Sequence, residues 1–93
     1  MVSLQMVVEL ALADARRFSP ASAQVLVAES VMWSNGALGC PRPDVLYTEA
    51  LVPGYRVQLR VGERVLDYHA GRDGRPHHCP PGRAIPPAAD PTR

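Results

Sequence analysis

The sequence contains no lysine; all ten of its basic residues are arginines, and they are scattered rather than gathered into a patch. Against nine acidic residues they leave a net charge of +1, which excludes a strong electrostatic case for nucleic acid or for an anionic membrane surface. Long apolar runs are missing too. The longest, Met1 to Leu12, is interrupted by Ser3, Gln5 and Glu9 and falls short of the roughly 20 residues that cross a bilayer. No basic region precedes it, and Asp14, Arg16 and Arg17 stand where a signal peptide would carry small residues for cleavage. The expectation is a chain with no membrane segment, cytoplasmic, and exported only if its true start lies upstream of Met1. Cysteine is scarce as well: Cys40 and Cys79 are the only two. They allow one bridge, which would stabilise the fold by about 4 kcal/mol in an oxidising compartment, or they remain two thiols in the cytosol. The length of 93 residues holds a single thin core and leaves no room for a second catalytic lobe.

What is present reads as one α+β domain over residues 1–80, followed by a proline-rich tail over 81–93. Residues 3–18 have helical spacing, with Leu4, Val7, Val8, Ala11, Ala15 and Phe18 on one face. Ser3 suits the N-cap, Arg16 and Arg17 suit the last turn, and Ser19-Pro20 stops the helix. Gln24 to Trp33 reads as a strand apolar on both sides, hence one inside the sheet or under a loop. Residues 34–53 form a long irregular segment marked by Asn35-Gly36, Gly39, Pro41, Pro43 and Pro53.

The clearest pattern follows. Tyr55, Val57, Leu59 and Val61 alternate with Arg56, Gln58 and Arg60, and Gly62-Glu63 makes a two-residue hairpin turn. That turn sets Val61 opposite Arg64, Leu59 opposite Leu66, Val57 opposite Tyr68 and Tyr55 opposite Ala70. Arg56, Arg60, Asp67 and His69 then fall on the outer face, as solvated and partly paired charges. Gly71-Arg72-Asp73-Gly74 reads as the loop before a last short strand, about Arg75 to Cys79, with His77 and Cys79 inward and His78 outward. Pro76 makes it an edge strand. The predicted architecture is an N-terminal helix on a three- to four-stranded antiparallel sheet, with a long Gly/Pro loop and an extended, mobile tail.

The run Trp33-Ser34-Asn35-Gly36-Ala37-Leu38-Gly39-Cys40-Pro41-Arg42-Pro43 holds two glycines for tight backbone positions, a cysteine between Gly39 and Pro41, and an aromatic anchor. It has two readings. In one it packs Trp33 and Leu38 into the open end of the sheet. In the other it is a binding loop made of Trp33, Asn35, Gly36, Leu38, Gly39, Cys40 and Pro41. With Tyr47-Thr48, Gly54-Tyr55, Val57, Leu59, Tyr68-His69 and Cys79-Pro80, residues 31–80 resemble a family of small bacterial domains. Its members carry a Trp-x-Asp/Asn-Gly-x-Leu-Gly-Cys-Pro loop, a Gly-Tyr strand, a Tyr-His strand end and a closing cysteine. The resemblance implies no assigned activity. Many relatives look exported, which there would favour a Cys40–Cys79 bridge. This chain departs from them in lacking a signal peptide and in having Leu66 where relatives often carry a second aromatic.

Cys40, His69, His77 and Cys79 are the candidates for a zinc or copper site, although their spacing matches no zinc template and a surface or edge role for the histidines is the default. There is no Cys-x-x-Cys for thiol redox work and no nucleophile elbow for hydrolysis. Met6, Leu10 and Leu12 extend the helix's apolar surface beyond its main stripe, enough to meet a partner or a second copy. The functional expectation is a non-enzymatic protein-interaction module or subunit without a cofactor, partnered by a protein or by itself. The alternative is a small metal-binding or thiol/disulfide protein.

Overall fold

Ser3 opens the helix by accepting the Met6 N–H on its hydroxyl at 3.2 Å, as an N-cap does. The computed structural model describes residues 2–88, and in it α1 spans Leu4–Ala15. The chain then tightens into turns through Arg17 N–H to Asp14 O and Phe18 N–H to Ala15 O, so the helix stops short of the expected residue 18. Arg16 and Arg17 therefore lie past the last turn rather than within it.

Four strands follow: β1 Ala23–Trp33, β2 Val52–Val61, β3 Arg64–Ala70 and β4 His77–Cys79. They form one antiparallel sheet in the order β1-β2-β3-β4. The β2–β3 register is the one read from the Gly62-Glu63 turn, from Val61 opposite Arg64 to Tyr55 opposite Ala70. Val7, Ala11 and Ala15 of α1 pack on Val57, Leu59, Val61, Leu66, Tyr68 and Ala70, which makes the main core. The Tyr68 hydroxyl donates to Asp14 Oδ2 at 2.8 Å, satisfying the polar end of a buried ring. The fold is α+β, one helix on a four-stranded antiparallel sheet. Among the described residues no helix is long and apolar enough to cross a membrane.

Two expectations are corrected. β1 is an edge strand and mostly exposed, not a central one. A meander leaves its first strand at the margin. An irregularity between Val25 and Val27 adds one residue and breaks the alternation, yet apolar side chains remain on both faces, Val25, Ala28 and Met32 on one and Val27, Val31 and Trp33 on the other. Val25 lies opposite Leu59 and Ala28 opposite Val57, so both face the helix side. Only the Trp33 end of β1 is buried.

The second correction concerns β4. It pairs Cys79 with Asp67, His78 with Tyr68 and His77 with His69, one residue away from the register that a four-residue loop would impose. A slip of one residue turns every side chain over. Cys79 and His77 thus share the outer face with Asp67 and His69, while His78 lies on the helix side against Phe18 and Tyr68, with ring centroids 4.7 and 5.7 Å away. The cause is local. Gly71 O accepts from Gly74 N–H, and Asp73 Oδ1 then accepts from Arg75 N–H, which lengthens the turn. Pro76 has no N–H with which to join the ladder there.

Candidate interaction arch

Trp33 ends β1 on the sheet face away from the helix, and it is fully buried. Its indole N–H donates to Ala70 O at 2.9 Å. One side of the ring meets Gly54, where an added Cβ would stand 2.7 Å from Nε1. The other meets Gly39, where an added Cβ would stand 2.9 Å from Cε3. Two glycines at these places let backbone approach both sides of the ring. The ring also stacks on His69 with centroids 4.5 Å apart.

From this anchor residues 34–51 leave the sheet as an arch. Asn35 Oδ1 accepts from Ala37 N–H at 2.9 Å, Leu38 N–H reaches Asn35 O, and Cys40 N–H reaches Ala37 O. These are consecutive tight turns of the kind an asparagine initiates. They hold Leu38 at φ 55°, an uncommon conformation for a leucine. Its carbonyl is captured by His69: Nδ1 lies 2.7 Å from Leu38 O. A carbonyl only accepts, so Nδ1 carries the proton. Nε2, also buried, lies 3.2 Å from Asp67 Oδ2 without the alignment of a hydrogen bond. Asp67 in turn meets Arg56 across the strands at 3.4 Å. Burial alone would raise the Asp67 carboxyl, but His69 and Arg56 outweigh it and hold the pKa below its ordinary 3.8. His69 is thus buried beneath the arch rather than exposed on the outer face as expected.

Cys40 is bonded to Cys79, which ties the arch to β4. Its far limb is held by Gly36 N–H to Thr48 O at 2.9 Å and by Arg42 N–H to the Tyr47 hydroxyl at 3.1 Å. The tail closes the remaining side. Ile85 N–H donates to Gly39 O and Ala88 N–H to Met32 O, each at 2.8 Å. The tail is thus held at Ile85 to the arch and at Ala88 to β1, whereas an extended, mobile tail was expected; the part of that expectation covering 89–93, like Met1, lies outside the described residues. Trp33, Ala37, Pro41 and Ile85 help to line a cleft of about 70 Å³, far smaller than a site enclosing a drug-sized ligand.

The structure thus sorts the sequence-derived loop residues. Trp33, Asn35, Gly39 and Cys40 build the base of the arch, Leu38 is gripped by His69, and Gly36 and Pro41 are half-buried beside them. The apolar surface lies further along, at Val45, Leu46 and Leu51, with Leu46 99% exposed. In the sequence Val45-Leu46-Tyr47 reads as a short extended piece, and its one distinguishing mark is a pair of aliphatics between Pro43-Asp44 and a polar stretch. The four metal candidates do not form a site. The cysteines are bonded to each other, His69 Nδ1 is engaged by Leu38, and His77 is exposed. Among the described residues no three His, Cys, Asp or Glu side chains are grouped for an ion.

A family model described as a domain of unknown function (DUF8738) matches residues 6–79, from the first turns of α1 to the last residue of β4. The chain belongs to that family, for which no activity is assigned. No curated protein and no solved structure matches it.

Proposed function

We propose that this member of the DUF8738 family is a non-enzymatic interaction module that presents the tip of its arch, Val45 and Leu46, to a protein partner. One observation carries the reading: Leu46 is 99% exposed on a loop whose base is held by a buried tryptophan, a buried histidine and a disulfide. A single exposed leucine is ordinary on a protein surface. A leucine held out on a braced loop differs, because the ordering entropy that weakens binding by flexible loops has already been spent in folding. Asp44 and Glu49 are exposed on either side of the tip, so the matching surface is an apolar pocket with a basic rim. The bonded cysteines support placing the chain in an oxidising compartment.

The test is co-purification with immobilised wild-type chain and with Leu46→Asp. Leu46 has almost no buried surface, so the substitution leaves the fold intact, as circular dichroism will verify. Loss of a stoichiometric partner on Leu46→Asp supports the reading. Equal retention by both chains removes the tip from consideration.

A further inference from the structure

Asn35 is the only asparagine in the sequence, and a glycine follows it. The turn they share explains the asparagine but not the glycine. Asn35 Oδ1 accepts from Ala37 N–H at 2.9 Å, as an asparagine at the head of a turn does. Gly36 takes no positive φ, and a Cβ added to it would come no nearer to Thr48 than 3.5 Å, an ordinary contact. Gly39 and Gly54 differ, because there the Trp33 ring excludes a Cβ. Neither the backbone nor the packing demands glycine at position 36.

What a glycine nitrogen beside an asparagine permits is attack on the side chain, since no Cβ crowds its approach. When Gly36 N gives up its proton and adds to Asn35 Cγ, a cyclic imide closes and the side-chain nitrogen leaves as ammonia. Water then opens the imide at either carbonyl, giving aspartate or isoaspartate. One water is consumed and one ammonia released. The arch sets one half of this reaction and withholds the other. Ala37 N–H already stands 2.9 Å from Oδ1, where negative charge gathers as Cγ is attacked. Gly36 N–H, however, is held by Thr48 O at 2.9 Å, and that bond keeps the proton on the nucleophile. Thr48 lies on the far limb of the arch, so the nitrogen is freed only when the limbs part.

We propose that Asn35 is a site of spontaneous covalent modification, which water converts to aspartate or isoaspartate when the arch opens, and that the bond from Gly36 N–H to Thr48 O is its lock. Opening of the arch is local, so it precedes unfolding of the sheet. The iso product routes the main chain through the former side chain and lengthens the path from Trp33 to Leu38 by one atom. The bond from Leu38 N–H to Asn35 O is then lost, and with it the position in which His69 Nδ1 holds Leu38 O. An arch that has stood open is thereby marked, and it does not close as before.

The experiment measures the exchange of amide for acid at Asn35 by peptide mass spectrometry after timed incubation. The chains compared are wild type, Gly36→Ala, and the double variant Cys40→Ala with Cys79→Ala. Folded wild type converts more than about tenfold more slowly than wild type unfolded in urea. Gly36→Ala keeps the circular dichroism of wild type and converts slowly even in urea. The folded double variant has lost the bond that ties the arch to β4, and it converts more than about tenfold faster than folded wild type. The amides of β2, which is paired on both sides, stay protected from hydrogen exchange in that variant. Folded wild type converting as fast as the unfolded chain overturns the proposal. So does Gly36→Ala converting like wild type in urea, or a folded double variant no faster than wild type. Should the double variant fail to fold, wild type in urea below its unfolding transition decides. A rate at Asn35 that rises with exchange of the Gly36 amide, ahead of the β2 amides, supports the lock, and a rate that rises only with the β2 amides overturns it.

Discussion

His69 is the residue through which the arch and the sheet communicate. Its ring supports Trp33, its Nδ1 holds the strained Leu38 carbonyl, and its Nε2 faces Asp67. The charge of Asp67 is therefore part of the fold. Because its folded pKa lies below the ordinary value, its stabilisation is complete above about pH 4 and is lost as the pH falls through the folded value. Asp67→Asn should lower unfolding free energy at neutral pH by about 1 kcal/mol and flatten its dependence on pH below about 4; urea titrations at several pH values measure both. Equal slopes for the two chains would show that the carboxylate is not coupled to folding. Tyr68 has the opposite sense. Burial first, and then its bond to Asp14, raise its hydroxyl well above the ordinary value, so its contribution is whole below about pH 10 and disappears as the pH climbs through the folded value.

Among the elements, the β2–β3 hairpin was legible in full, because a two-residue turn fixes the register and strict alternation fixes the face. β4 was not, since an Asp73 side chain and Pro76 extend its turn by a contact that composition alone does not reveal. The arch stands between these cases. Its Trp33 anchor and its glycines could be named from sequence, but the partners of the ring on either side could not. The disulfide is the element that holds this arch to β4. Removing it with Cys40→Ala and Cys79→Ala together should cost about 2–4 kcal/mol and shift Trp33 fluorescence to the red as water reaches the indole. A variant as stable as wild type would mean that the arch is held by Trp33 and His69 alone. Thiol titration of the unfolded, unreduced wild type should find no free cysteine.

At the scale of the whole molecule the sheet is covered on both faces, by α1 on one and by the arch with its tail on the other. The second cover is thin and relies on backbone bonds at Gly39 and Met32. Ending the chain at Pro80 removes both, and a hydrogen bond of this kind contributes about 0.5–1.5 kcal/mol. The shortened chain should lose about 1–3 kcal/mol of stability and show greater acrylamide quenching of Trp33, while the helix signal in circular dichroism is unchanged. Quenching equal to that of the full chain would show that the arch shields the indole without the tail.

Local periodicity and turn chemistry in the sequence determined that there is a helix near the start, a hairpin of known register, and a glycine-proline segment anchored by a tryptophan. These features depend on neighbours three, four or two residues away, which a linear pattern records. Which faces are covered was decided only in three dimensions. His69 alternates outward like any solvated residue, yet the arch buries it. β1 looks apolar enough for the interior, yet the meander leaves it at the margin. Burial of that kind depends on segments far apart in the chain meeting, here Leu38 with His69, Cys40 with Cys79 and Ala88 with Met32, and no spacing along a single strand encodes such a meeting.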